Sequence, residues 1–534
     1  CLRRVKVLSE ISPRKHVKLN NIMLLAAFAV GCAAYYFIPM AFAPDSYGYI
    51  QSALSFFNDG SFAGWDSFRG PLIPLIMSAS FHVFGVTRIA VKFTFFLFYL
   101  IMFFSVYSLM NTLGLFKKNA SAATWLLFVF ALLLNPCVMA YGHLCLAEFP
   151  AVACLAAYAA LMARIYLEPD QKQRYVHSFL LKLIVVCVFT VLTYSIKQAA
   201  FAIVPALFAM CELLSLIKHF KLKKLLAAIT VIVIAAASLL GYVKLWSGLT
   251  GGENVEGESV TAFAGTFIVD GLRYFRVTER GVYDRPITIE IMSRDYETVK
   301  KSFEYTFTNS LADSAKYFFR CLAESPADVF RSYRENYLLI TGSRHLLGTD
   351  GAERAYGRVN STTEFFTGQE TAAWTDAFAQ IEPESGGCFY MTSDSLNDEE
   401  VFDHIAYNNS FARRLLFNSV YRKLAYFQYS FITFSAPAVG IISLVLFLCG
   451  RKRGKNELVH QINFVCAFTI FLQIMFLAIT AQSIDRYGFP LVIFCFLIVV
   501  NSVYNLLSLI ADRNHKSSSE NNSQSRETSC TVEV

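Results

Sequence analysis

Residues Ile89–Thr112 read IAVKFTFFLFYLIMFFSVYSLMNT, and this stretch decides the class of fold. It is apolar over nearly its whole length and, as a helix, long enough to cross roughly 30 Å of hydrocarbon. Comparable runs lie at about 22–43, 121–137, 149–166, 178–195, 199–216, 225–246, 428–449, 462–482 and 489–510, which makes about ten spans. A further run, Leu72–Phe84, is shorter and carries Pro71 and Pro74 at its start. It is expected to lie at the membrane interface or to re-enter rather than to cross.

Composition agrees with this reading. Across 534 residues, hydrophobic types make up 55%, aromatics 15% and charged residues only 16%, with a mean hydropathy of +0.44. Soluble domains carry roughly 25% charged residues. The expectation is an all-α polytopic membrane protein with a large, mostly helical extracytoplasmic insertion. Disordered, collagen-like and disulfide-scaffold classes are excluded by the same figures. The net charge of +7 is explained by orientation in the membrane, so no nucleic-acid partner is implied. The 13 cysteines are scattered and none shows zinc spacing; Cys321 and Cys388 lie in a polar region and could be bridged if that region is extracytoplasmic.

Charge sets the orientation. Basic clusters occur at Arg3–Lys18, Lys117–Lys118, Lys172 with Arg174, Lys218–Lys224 and Arg451–Lys455. With ten spans, all of them and both termini fall on one side, which the positive-inside rule makes cytoplasmic. Counting Leu72–Phe84 as a span would scatter the clusters over both sides. The polar stretch from about Leu249 to Tyr426 then lies outside, and it holds about 26 of the 40 acidic residues but only about 18 of the 47 basic ones. The chain therefore divides into a basic cytoplasmic arm (1–21), an N-terminal membrane module (22–246) with its first outer loop at 44–88, an extracytoplasmic insertion (247–427), C-terminal membrane helices (428–510) and a disordered cytoplasmic tail (511–534). The run after Ile22 is long for a signal-peptide core and is expected to be a retained first span. In the insertion, Ser302–Arg320 and Ala327–Leu339 read as helices.

Polar residues collect at the outer ends of these spans. Asp45 closes the first span in Ala43-Pro44-Asp45-Ser46-Tyr47-Gly48-Tyr49, and Ile50, Ala53 or Leu54, and Phe57 then recur at helical spacing with Gln51, Ser55 and Asn58 opposite. That pattern is an amphipathic helix lying along the membrane surface; Asp45 could simply cap it. Arg69 precedes Gly70-Pro71, where a guanidinium could clamp a phosphate or face headgroups. Glu148 begins an almost wholly apolar span, a place the helix dipole favours for a carboxylate. His143 lies close enough in sequence to join it, either as a ligand-facing group or as a structural one. Lys197 and Arg486 run against the side bias, although Asp485 could pair with Arg486. Two carboxylates and three cations thus map to one outer face, a combination suited to group transfer from a phospholipid-like donor. No phosphate-binding loop or dinucleotide fingerprint is present.

The chain at this point resembles the integral-membrane glycosyltransferases that use polyprenyl-phosphate sugars, the GT-C class that includes the protein O-mannosyltransferases and the lipid A aminoarabinose transferase. The resemblance rests on Pro44-Asp45-Ser46 with Tyr49-Ile50, on Arg69-Gly70-Pro71-Leu72-Ile73-Pro74 with Phe84-Gly85, on Leu146-Ala147-Glu148, and on Arg486-Tyr487 with Pro490. It covers residues 22–216 and 428–510 and leaves most of 250–425 unexplained. It implies that Asp45 is the catalytic carboxylate or the group that positions the acceptor, that Glu148 is a second catalytic carboxylate, that Arg69, Lys197 and Arg486 face the donor phosphate, and that Tyr49, Tyr487 and His143 line the substrate. The implied partners are a polyprenyl-phosphate sugar and a glycan, lipid or protein acceptor at the cell membrane. Many relatives have Asp-Glu in the first loop where this chain has Asp45-Ser46, which removes a paired-acid role there. Some members of the class use a divalent metal and others do not. A transporter or flippase of a lipid-linked glycan is the competing expectation; such proteins place ionisable groups near the bilayer midplane.

Overall fold

The computed structural model describes residues 12–38, 40, 46–62, 65, 70–116, 121–167, 175–218, 220–250, scattered positions between 319 and 341, 419–450, 457–480 and 485–510. The described residues form helices joined by turns and short irregular stretches, with no strand among them. Helices α1 (Ser12–Phe37), α2 (Ser46–Asp59), α3 (Leu72–Phe84) and α4 (Arg88–Thr112) come first. Next are α5 (Ser121–Leu127), a π-helical segment (Phe128–Leu133), α6 (Pro136–Gly142), α7 (Glu148–Leu167) and α8 (Tyr175–Ile196). A 3₁₀ turn (Gln198–Ala200) leads into α9 (Ile203–Lys218) and α10 (Leu222–Leu249). After the insertion come α11 (Ser419–Gly450), α12 (Glu457–Thr480), a second 3₁₀ turn (Asp485–Leu491) and α13 (492–510).

Among the described residues, nine helical stretches are long and apolar enough to cross a membrane. Ten crossings were expected, and the difference lies at 121–137. There the chain makes a short α-helix, widens into a π segment, stops at Asn135 and restarts at Pro136. Proline supplies the break, because it has no N–H to donate and its ring disfavours helix just before it. The Asn135 amide turns back onto the Ala131 carbonyl at 3.2 Å.

Contacts show that this composite leg still travels from one end of the bundle to the other. At one end, Trp125 Nε1 donates to Asn20 Oδ1 and packs on Phe116; at the other, Tyr35 Oη donates to the Gly142 carbonyl. The same two ends recur along the chain. Lys92 Nζ donates to the carbonyls of Tyr36 and Ile38, while Arg164 reaches Ser108 at the far end of α4 and α7. Lys182 meets Glu212 at that far end, and Phe201 meets Phe476 at the near one. The cation of Lys218 lies over the Phe447 ring, and Asn501 donates to Asn463. We call the end holding Tyr35, Lys92 and Phe476 the upper end. Both α10 and α11 have their insertion-facing ends there, so the insertion leaves and returns on the upper side.

Helix α3 stays at the upper end, as its length implied. Gly70, just before it, passes so close to the end of α8 that a Cβ would overlap the Ser195 carbonyl. Its last turn packs Phe84 on Phe93 at the start of α4, and Thr94 donates to Ser80. The surface helix α2 corrects one expectation. Ile50, Ala53 and Leu54 are buried and Phe57 packs edge-on against Phe81, so the apolar face lies on α3 rather than on lipid; Gln51 and Asn58 are exposed. Lipid-facing stripes run elsewhere, as on α10, where Leu226, Ile229, Val233 and Leu240 are exposed.

The basic arm before residue 12, the tail after 510, most of the insertion and the possible Cys321–Cys388 bridge lie outside the described residues. Part of the second helix expected in the insertion is described. Positions 326, 330, 334, 337 and 340 are helical, and Tyr337 Oη donates to the Phe434 carbonyl at 2.9 Å on α11.

Candidate functional site

Glu148 and Lys197 meet at the upper end. Lys197 Nζ lies 2.7 Å from Glu148 Oε1, and the side chains are 10% and 2% exposed, respectively. Each owes its position to local chain chemistry. Glu148 stands in the first turn of α7, where unpaired helix N–H groups favour a carboxylate, and Pro150 is tolerated in that turn because its missing N–H would have no partner there. Lys197 occupies the extended residue between α8 and the 3₁₀ turn, with φ −146° and ψ 110°. Its own N–H still closes the end of α8 on the Thr193 carbonyl at 2.8 Å.

Three neighbouring segments converge on this pair. Ser46, fully buried, donates from Oγ to the Cys145 carbonyl at 2.7 Å, three residues before Glu148. That bond ties the first outer loop to the segment entering α7. It also explains why serine follows Asp45: a glutamate there would set a carboxylate against a buried carbonyl oxygen. On a second side, Gln473 of α12 donates from Nε2 to the Ala199 carbonyl at 2.6 Å and so steadies the turn that carries Lys197. On a third side, Tyr141 stacks on Phe489 with ring centroids 4.2 Å apart, joining the second 3₁₀ turn to the stretch before α7. Arg486 and Tyr487 belong to that turn, of which only the backbone is described at these positions. Ile340 of the insertion lies against Gly488 of the same turn.

Asp45 and Arg69 lie outside the described residues. Tyr49 is 7% exposed on the inner face of α2. His143 is brought to the same end but turned to other work. Its Nδ1 lies 2.7 Å from the Met139 carbonyl and its Nε2 2.9 Å from the Tyr35 carbonyl. The contact with Tyr35 braces the end of α6 against α1, while the contact with Met139 stays within the last turn of α6; the neutral ring donates through one of the two nitrogens. Burial lowers its pKa to about 4, against the pull of the two carbonyls.

Two residues were overlooked in the sequence. Gln473 is a lone amide inside an apolar run, and Lys92 is a cation one turn inside the upper end of α4, after Arg88 at its start; a polar residue within a span is itself the signal that would have found them. Lys92 caps α1 by donating to its last carbonyls, the arrangement a helix C-terminus favours. Among the described residues, no three His, Cys, Asp or Glu side chains cluster so as to hold a metal ion.

What the described pair can do follows from its charges. It places one anion and one cation, both shielded from solvent and hence little screened by salt, beside three segments that could frame a ligand. No protein-family model, no curated protein and no solved structure matches this chain.

Proposed function

We propose that this protein is an integral-membrane glycosyltransferase that moves a sugar from a polyprenyl-phosphate donor to a glycan, lipid or protein acceptor on the extracytoplasmic face of the cell membrane. The observation that carries this reading is the buried Glu148–Lys197 pair at the end of the bundle where the first loop, the second 3₁₀ turn and the insertion come together. A cation at that level suits the donor phosphate, whose isoprenoid tail would lie among the helices. In this account both termini are cytoplasmic and the upper end faces outward, as the distribution of Lys and Arg requires.

The chemistry divides among the residues as follows. The acceptor hydroxyl or amine attacks the anomeric carbon as its proton passes to Asp45, covalently next to the anchored Ser46. The bond from the anomeric carbon to the phosphate oxygen breaks, and its electron pair leaves with the polyprenyl phosphate. Lys197, Arg69 and Arg486 offset the charge that gathers on the departing phosphate, and Glu148 is the second carboxylate of the site. A single direct displacement inverts the anomeric centre.

One observation favours the transporter reading. Lys182 Nζ and Tyr166 Oη both donate to Glu212 Oε1, at 2.6 and 2.5 Å, a half-buried ionisable cluster among α7, α8 and α9. Such clusters mark ion or substrate paths in some transporters. This one, however, sits at the lower end rather than at midplane, and it closes on itself.

The deciding assay is release of polyprenyl phosphate by the purified protein from a panel of polyprenyl-phosphate sugars, with acceptors supplied. Turnover by wild type, and its collapse by about 10²-fold or more in a folded Asp45→Asn variant, is expected. Full turnover in that variant would remove Asp45 from the mechanism.

A further inference from the structure

Resting on the glycosyltransferase reading, we infer that Glu148 is an internal stand-in for the donor phosphate: it pairs with Lys197, gives it up when a prenyl phosphate binds, and takes it back as the product leaves.

The charges require such a competition. While the pair is closed the Glu148 carboxylate offsets the Lys197 ammonium, which therefore attracts an incoming phosphate less than it would with Glu148 turned away. A phosphate that reaches Nζ with the carboxylate still 2.7 Å away meets a like charge in a place shielded from solvent. Pairing with Glu148 and binding of phosphate therefore oppose one another. The local structure makes the exchange feasible. Glu148 stands in the first turn of α7, where the helix dipole continues to favour its charge after the lysine departs. Lys197 hangs from a single extended residue whose backbone is fixed on both sides, by Thr193 before it and through Gln473 after it. Its side chain can therefore change partner without movement of a helix.

Exchange also answers a problem of product release. The donor phosphate is a diester carrying one negative charge, whereas the released monoester carries up to two and should hold a lysine more strongly. A resident carboxylate that reclaims the ammonium weakens the grip on the product.

The test is binding of farnesyl phosphate to the detergent-purified full chain by isothermal titration. Wild type, Glu148→Gln, Lys197→Met and the double variant would be compared. We expect Glu148→Gln to bind about tenfold tighter than wild type, and both Lys197→Met and the double variant about tenfold weaker. Should Glu148→Gln fail to fold, Glu148→Asp, with a shorter reach, should still bind more tightly than wild type. Unchanged or weaker binding in the folded Glu148 variant, with Lys197→Met weakened, would overturn the exchange and leave the reading of the site intact. Wild type that binds no prenyl phosphate, or Lys197→Met that binds as well as wild type, would instead overturn the donor site itself.

Discussion

Ser46 shows how much a single hydroxyl carries in this fold. It is fully buried, its Oγ–H closes on the Cys145 carbonyl, and it is joined to the residue proposed to take the acceptor proton. Ser46→Ala should cost about 1 kcal/mol, the net worth of one buried hydrogen bond. Ser46→Glu, which would recreate the acidic pair of the resembling family, should instead lower the melting temperature sharply and cut turnover, because it drives a carboxylate against a buried carbonyl. A stable, active Ser46→Glu would show that the loop is not held in this way. His143 makes a prediction in pH. Burial sets its folded pKa near 4, below the ordinary value of 6.5. Well above 6.5 neither folded nor unfolded chain binds the proton. As pH falls toward 4 the unfolded chain takes it up first, and stability drops by up to about 3 kcal/mol. The melting temperature of wild type should therefore fall between pH 7.5 and 5 by more than that of His143→Gln; equal falls would contradict the assignment. Neither role could be read from sequence, since the Cys145 carbonyl that Ser46 meets and the Tyr35 carbonyl that His143 meets each lie about a hundred residues away.

Among the elements, the 3₁₀ turn bearing Lys197 is held from α12 through the Gln473 amide. Gln473→Leu removes that support and should weaken farnesyl phosphate binding about tenfold, as a mispositioned cation loses its geometry. Asn501 on α13 is the proper comparison. It donates to Asn463 and to the Val459 carbonyl, at 2.7 and 2.9 Å, a polar clasp of similar kind at the lower end. Asn501→Leu should lower the melting temperature while leaving that affinity unchanged. If the two variants lose affinity alike, Gln473 acts through general stability and not through the turn. The elements differed in how legible they were. The long spans and the short α3 could be read from length and hydropathy alone. The apolar face of α2 was legible in its spacing, but not the surface it would meet, because a hydrophobic stripe fits protein as well as lipid. The π segment at 128–133 was not legible, since a uniformly apolar run carries no phase from which a change of helical period can be read.

At the scale of the whole molecule, the alternation of contacts between upper and lower ends agrees with the ten crossings inferred from apolar runs and basic clusters, even though one crossing is a broken helix. That agreement is why Glu148 and Lys197 could be assigned to a common face before either was seen beside the other; their pairing needed the packing of α7 on α8. A first aromatic seam also joins distant parts at this end. Trp65 of the first loop and Trp246 of α10 meet with centroids 5.6 Å apart, and both indole N–H groups are buried with no hydrogen-bond partner among the described residues. The loop thus rests on the helix that leads into the insertion, and the upper end works as one assembly. The most direct test of the account reconstitutes the full chain in proteoliposomes with a polyprenyl-phosphate sugar labelled in the sugar, and follows both cleavage and the side on which label appears. The account predicts that label passes to an acceptor as polyprenyl phosphate is released, and that Lys197→Met, folded and inserted as wild type, loses about 10²-fold of this turnover. Intact labelled lipid that crosses the bilayer uncleaved, or full turnover without Lys197, would contradict it.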